Sequence, residues 1–160
     1  MPSGDETVAE QLATVLRGYR KAMSAALTAE DYGPIQPAAT WLLLAMDREP
    51  GTVGALATRL GLTKQAVSRL ADRLVSLGYC DRRRDEINRR QVLLRTSEAG
   101  TRAAPVLRAG LDRADQRFLS GLGTAERAGF RTALATMTGL ALGGGVPGSE
   151  GLAVSDEPED

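Results

Sequence analysis

Histidine is absent from this 160-residue chain, and cysteine occurs once, at Cys80. The first absence removes the side chain most often used as a general base or metal ligand. Together the two leave no donor set for a structural zinc ion. A lone cysteine forms no internal disulfide, the usage expected of a protein kept in a reducing cytoplasm. Aromatic residues are only 4% of the sequence, so a core must come mainly from Leu, Val and Ala. Nowhere do apolar residues run for the roughly 18 positions that a membrane span requires. The opening stretch MPSGDETVAEQ is acidic and lacks the basic-then-apolar order of a secretory signal. No G-x-G-x-x-G, P-loop, G-x-S-x-G or H-E-x-x-H pattern occurs. Catalytic residues, metal, cofactor and membrane contact are therefore not expected, and the expected location is the cytoplasm.

What is present is charge, unevenly spread. Lys plus Arg equals Asp plus Glu, at 20 each, for a net charge of zero. Residues 1–58 carry four basic and seven acidic side chains, whereas residues 59–95 carry ten basic and four acidic, net +6. Residues 96–142 are net +2, and residues 143–160 hold five acids and no base. The stretch DRRRDEINRR, residues 81–90, places five arginines in ten positions. A patch of this kind attracts a polyanion whatever the overall charge.

The hydrophobic pattern predicts helices through most of the chain. Val8, Leu12, Val15, Leu16, Tyr19, Met23 and Leu27 recur every three or four positions, giving an amphipathic helix from Glu6 to about Leu27. DYGPIQP interrupts, and a buried helix follows from about Gln36 to Met46. Thr52 is the predicted N-cap of a short helix over Val53–Leu60 that Gly61 ends, and Thr63 caps a helix from Lys64 to about Leu77, ended by Gly78. Tyr79–Arg84 and Gln91–Arg95 read as two short strands around the tip DEINRR. Ser97 is the predicted cap of a long helix over about Glu98–Ser120, where Pro105 should kink the helix or mark a late start. Thr124 should cap a last helix to about Leu142, and residues 143–160, rich in Gly, Pro and acid, should be disordered. That acidic segment reads as a solubilising tail or as a mimic that competes for the basic patch.

Residues 52–79, TVGALATRLGLTKQAVSRLADRLVSLGY, have the packing pattern of a helix-turn-helix. Ala57 is small enough for the second helix to cross closely, Gly61 makes the turn and Val67 fills the angle between the helices. On a helical wheel Val67, Leu70, Leu74 and Leu77 fall within about 80° of one another. Lys64, Gln65, Ser68, Arg69, Asp72 and Arg73 spread over the opposite side, and Thr63 joins them at the helix start. Gln, Arg and Lys there suit base edges, and a helix N-terminus suits a phosphate. The arginine-rich hairpin that follows makes the unit a winged helix, with Arg82, Arg83, Arg84, Asn88, Arg89 and Arg90 placed to meet phosphates and a minor groove. The competing readings are an ordinary solvated helix face and a hairpin neutralised by its own Asp81, Asp85 and Glu86.

On these residues the chain resembles the multiple-antibiotic-resistance regulator (MarR) family of bacterial winged helix-turn-helix transcription regulators. The resemblance covers residues 35–140, from IQPAATWLLLAM through the helix-turn-helix into RRRDEINRRQVLLRTSEAG. The family's wing commonly reads R-x-x-(x)-D-x-R, then an apolar strand and a Thr-x-x-Gly helix start. Arg90 and Gly100 match, whereas Asn88 stands for the Asp and Ser97 for the Thr. Asn88 cannot form the wing's ion pair, which leaves a looser wing or passes the pairing to Asp85.

The resemblance implies a mainly α fold with a small β-hairpin wing. Residues 1–34 and 97–142 would supply dimerisation helices, 35–96 the DNA-binding domain and 143–160 the tail. It implies a homodimer that binds double-stranded DNA at a palindrome, as a repressor, with recognition helices roughly 34–36 Å apart. It also implies a small aromatic or anionic effector in a cleft that Arg17, Tyr32, Trp41 and Met46 would approach. Some relatives sense oxidants through thiols, and Arg82 and Arg83 beside Cys80 favour a lowered thiol pKa, against a reading of Cys80 as simple strand packing. Without DNA function, the same fold would serve as a protein-interaction module.

Overall fold

Thr7 begins the first helix through a reciprocal contact. Its hydroxyl oxygen accepts the Glu10 N–H while the Glu10 carboxylate accepts the Thr7 N–H at 2.8 Å, so two orphan donors are satisfied together. The backbone bond to Thr7 also holds the Glu10 carboxyl below its ordinary pKa. The computed structural model describes residues 6–86 and 88–141. Within them α1 runs Val8–Ala29, α2 Pro37–Arg48, α3 Val53–Leu60 and α4 Lys64–Ser76. Strands β1 (Cys80–Arg84) and β2 (Val92–Thr96) follow, then α5 (Glu98–Leu119) and α6 (Thr124–Ala141). The expectation of a disordered acidic segment over 143–160 lies outside the described residues.

Each helix start is set by a local residue. Pro37 sits in the first turn of α2, where its missing N–H costs nothing. Thr52 and Thr63 cap α3 and α4, accepting the Ala55 and Ala66 N–H groups at 3.2 and 3.1 Å. Gly61 closes α3 at φ 63°, and Gly78 follows α4 at φ 78°, both in the left-handed region where a side chain would clash. Ser97 caps α5 by accepting the Gly100 N–H at 3.1 Å. Two expectations are corrected. Pro105 does not mark a late start of α5: it lies inside a helix that the Ser97 cap already begins at Glu98. The cap of α6 falls on Gly123 rather than Thr124: the Gly123 N–H donates to the Glu126 carboxylate at 2.7 Å, leaving Thr124 as the first helical residue.

The described residues fall into two units, one through Phe118 and one from Leu119 onward. In the first, Met23 and Leu27 of α1, Leu42, Leu43 and Met46 of α2, Leu56 of α3, Val67 and Leu74 of α4, Leu94 of β2 and Leu107 of α5 join one buried cluster. Burying each such side chain contributes about 1.5–3 kcal/mol. On α4 the buried stripe is Val67, Ala71 and Leu74, with the predicted Leu70 and Leu77 only part-buried against it.

Polar ties fix the same elements. Arg59 of α3 donates to the Ala45 and Glu49 carbonyls at 3.2 and 2.8 Å and pairs with the Glu49 carboxylate at 2.6 Å. Arg108 of α5 pairs with Asp47 of α2 at 2.5 Å. Tyr19 packs edge-on against Phe118, ring centroids 5.1 Å apart, and its hydroxyl donates to Asp115. Val8, Leu12, Val15 and Leu16 of α1 remain exposed, as do Phe130, Met137 and Leu140 of α6. No described helix is long and apolar enough to cross a membrane.

Candidate nucleic-acid interface

The helix-turn-helix is α3, a turn at Gly61 and α4. The Leu62 N–H returns to the Ala57 carbonyl at 2.9 Å, and Ala57 and Val67 are both buried where the helices cross. That burial aims the opposite side of α4 outward: Thr63, Lys64, Gln65, Arg69 and Arg73 are exposed and Ser68 is half-buried. Thr63 spends its oxygen on the Ala66 N–H, so its hydroxyl proton is what remains to donate outward. The Lys64 side chain lies back over Gly54 of α3.

The wing is the β1–β2 hairpin. Its antiparallel register pairs Cys80 with Thr96, Arg82 with Leu94 and Arg84 with Val92. Leu94 is 1% exposed, and its N–H and C=O bond to Gly51 at 2.8 and 3.1 Å, so β2 is fastened to the loop before α3. Toward the tip, Arg83, Arg84, Asn88, Arg89 and Arg90 are exposed. Asn88 has taken a turn role: its side-chain oxygen accepts the Arg90 N–H at 3.3 Å and its carbonyl the Gln91 N–H at 2.8 Å. Asn suits such a turn, so residues 88–91 are tied by hydrogen bonds that Asn88 accepts.

Between α4 and the wing lies a groove of about 470 Å³ lined by Val53, Ser68, Arg82, Arg83, Arg84, Val92 and Leu94. It brings helix and wing residues to one surface. Val53 and Val92 in its lining were not singled out from the sequence. Arg82 also makes a contact the sequence did not suggest: its guanidinium pairs with Asp72 of α4 at 2.5 Å.

Of the four residues expected near an effector cleft, Trp41 lines a groove whose lining does not include Arg17, Tyr32 or Met46. Met46 is fully buried and packs against Cys80. Tyr32 is part-buried with its ring 6.4 Å from that of Tyr79. Arg17 is exposed and donates to Thr14 at 2.7 Å. Trp41 alone lines a groove, of about 360 Å³, with Leu44, Ala45, Arg48, Arg59, Leu60, Arg108 and Leu111. The wheel of α2 places Met46 inward, a direction that spacing alone did not resolve for a helix apolar on most sides.

Cys80 is 3% exposed, its thiol 3.7 Å from the Met46 sulfur. Burial pushes the thiol up to about 11, outweighing the Arg95 backbone hydrogen bond and the Arg82 charge that pull it down. Of the two readings of Cys80, simple strand packing is the one its burial supports, and the alternative of a lowered pKa is not; a neutral buried thiol is a poor nucleophile. The folded chain holds this proton more tightly than the unfolded one does. Its stability is full below pH 9 and falls as pH rises toward 11, by about 2–3 kcal/mol in all. Urea midpoints for wild type and Cys80→Ala should converge over that window; parallel pH profiles would contradict the burial effect.

Among the described residues no group of three His, Cys, Asp or Glu side chains is placed to hold a metal. A family model described as MarR family matches residues 34–91. An uncharacterized HTH-type transcriptional regulator, YhjH of Bacillus subtilis (strain 168), is 32% identical over 74 residues, 46% of this chain and 42% of that protein. The match thus spans less than half the length of that curated relative. The transcriptional regulator SlyA superposes with a TM-score of 0.75 at 16% identity, over 86% of this chain and 96% of that one. A putative MarR family transcriptional regulator from Listeria monocytogenes, complexed with a 26mer DNA, superposes with a TM-score of 0.72 at 14% identity, over 86% and 91%. At such identities the superpositions establish the winged-helix fold.

Proposed function

We infer, from a chain whose residues 34–91 match a MarR family model, a double-stranded DNA-binding transcription regulator that reads sequence through α4 and holds phosphates and a minor groove through the wing. The observation that carries this reading is the shared groove of Ser68 and the wing residues Arg82, Arg83 and Arg84, together with the exposure of Gln65 and Arg69 on α4 and of Arg89 and Arg90 in the hairpin. Gln65 and Arg69 are suited to adenine and guanine edges. The wing supplies charge without sequence information. A protein-interaction module would need an acidic partner to match these cations, whereas duplex DNA presents a phosphate backbone along its whole length.

The protein acts as a homodimer on a palindrome and represses transcription. The exposed apolar side chains of α1, and separately those of α6, support the dimer. Helices of this length gain most of their stability from packing.

The division of labour is tested by gel shift. Arg69→Ala should cost about 1–3 kcal/mol on a duplex selected by the wild type from a random pool, and change the preferred base at one position. Arg90→Ala should weaken binding to selected and random duplexes alike and lower the salt slope by about 1. Equal loss from both variants on both duplexes would contradict the assignment.

The Trp41 groove supports a small anionic aromatic effector. Its volume of about 360 Å³ suits a small ligand. Trp41 offers a stacking face, and Arg48 adds a cation in a lining where Arg59 and Arg108 are held by Glu49 and Asp47. Trp41 is the only tryptophan in the chain, so its emission reports on the groove directly. Benzoate-type carboxylates should quench it in wild type and fail to do so in Arg48→Ala; quenching retained in the variant would remove Arg48 from the site.

A further inference from the structure

An acid on a surface built to meet phosphates works against affinity, and Asp72 is such an acid. It lies on α4 one turn beyond Ser68. Its carboxylate is exposed yet held by the Arg82 guanidinium at 2.5 Å. As a stabiliser, an exposed ion pair contributes little. Its location gives it another consequence.

Arg82 forms the rung of the hairpin opposite Leu94. On the Leu94 side that rung is fastened by backbone to Gly51. On the Arg82 side it is fastened by this ion pair to α4. Beyond the rung, Arg83, Arg84, Asn88, Arg89 and Arg90 are exposed. The pair therefore acts where the wing leaves the body of the domain, and it connects the wing to the helix that carries Gln65 and Arg69.

We propose that Asp72 is a positioning residue for DNA sequence discrimination: through Arg82 it fixes the angle of the wing relative to α4, at the expense of raw attraction to phosphate. The inference rests on the DNA-binding reading. It assigns Arg82 to the positioning of the wing and leaves phosphate contact to Arg83, Arg84, Arg89 and Arg90. A wing set at one angle lets its arginines and the α4 side chains engage a single register of the duplex together. A wing freed of the tie still meets phosphates, in several registers, and the difference between right and wrong sequences shrinks.

The test uses the full chain, a duplex selected by wild type from a random pool, and a scrambled duplex of the same composition. Asp72→Asn should weaken binding to the selected duplex roughly tenfold, the size of one lost base contact. Binding to the scrambled duplex should hold or tighten by up to about threefold, since an anion has left the surface. Arg82→Gln should reproduce the loss of discrimination, and the double variant should be no worse than either single one. The swap Asp72→Arg with Arg82→Asp, which restores the tie at unchanged net charge, should recover most of the wild-type ratio between the two duplexes. The pair is exposed, so the thermal midpoint should stay near wild type in all variants.

If Asp72→Asn tightens both duplexes alike, Asp72 is only a repelling charge and the proposal fails. It also fails if the swap leaves discrimination lost, or if Arg82→Gln weakens both duplexes equally with a reduced salt slope. A wild-type chain that selects no duplex would instead remove the DNA-binding reading itself, a result distinguishable from each of these.

Discussion

Replacing Arg83, Arg84, Arg89 and Arg90 together by Ala should lower duplex affinity by about a thousandfold or more at moderate salt. All four side chains are exposed, and none has been given a structural task by the fold. Hydrogen bonds to charged groups contribute about 1.5–3 kcal/mol each, so four contacts at the low end of that range, about 6 kcal/mol, exceed the roughly 4 kcal/mol that a thousandfold loss requires. The salt dependence is the sharper measurement. Each phosphate contact releases counterions and adds about 0.9 to the slope of log affinity against log salt. The slope should therefore fall by about 3 to 4 per wing if all four meet phosphates. The helical wheel of α4 is untouched, so the residual binding should keep its base preference. An unchanged slope would mean that the arginine cluster is a solvated hairpin surface. A lost thermal transition would be unexpected, because nothing in the core is altered.

The second large effect falls on stability and comes from a single methyl group. Gly100→Ala should destabilise the fold by about 2–4 kcal/mol and lower the thermal midpoint by roughly 5–15 °C. A Cβ at Gly100 would lie 2.2 Å from the Tyr79 carbonyl oxygen and 3.1 Å from a Leu43 methyl. The Tyr79 carbonyl cannot retreat freely, since it accepts the Ser97 N–H at 3.1 Å. Ser97 also donates its hydroxyl to the Gly78 carbonyl at 2.5 Å while capping α5. Moving the start of α5 away would stretch this whole set of hydrogen bonds. Ala is the better helix former by about 1 kcal/mol, so the clash must first overcome that gain. Gly129→Ala in α6 isolates the propensity effect, because nothing lies within 4 Å of its added Cβ. It should raise the midpoint slightly. Opposite signs from the same substitution at two helical glycines are the expected result, and a neutral Gly100→Ala would show that α5 can shift without cost.

Much of the fold was legible because its determinants are local. Thr52, Thr63 and Ser97 cap the helices they were expected to cap, since a cap needs only a short side chain and an N–H three residues on. Gly61 and Gly78 stand at the helix ends where only positive φ closes the turn. The cationic residues of α4 and the wing were found by periodicity and charge counting, and burial of Val67, Ala71 and Leu74 leaves them outside. The missed cap at Gly123 has a local reason too. Glycine has no side chain to advertise the role, and the bond comes from Glu126 reaching back.

Sequence by itself determined that this chain folds as a winged helix with a cationic surface, because helix period, caps, turns and charge are written in neighbouring residues. Tertiary structure decided how individual polar groups are spent. Arg82 turns to Asp72 ten positions away in the chain, Met46 packs into the core, and the Cys80 thiol is held protonated to higher pH by the same packing that brings it against Met46. Those outcomes depend on which elements meet in space and how much water they exclude, and a linear pattern carries neither.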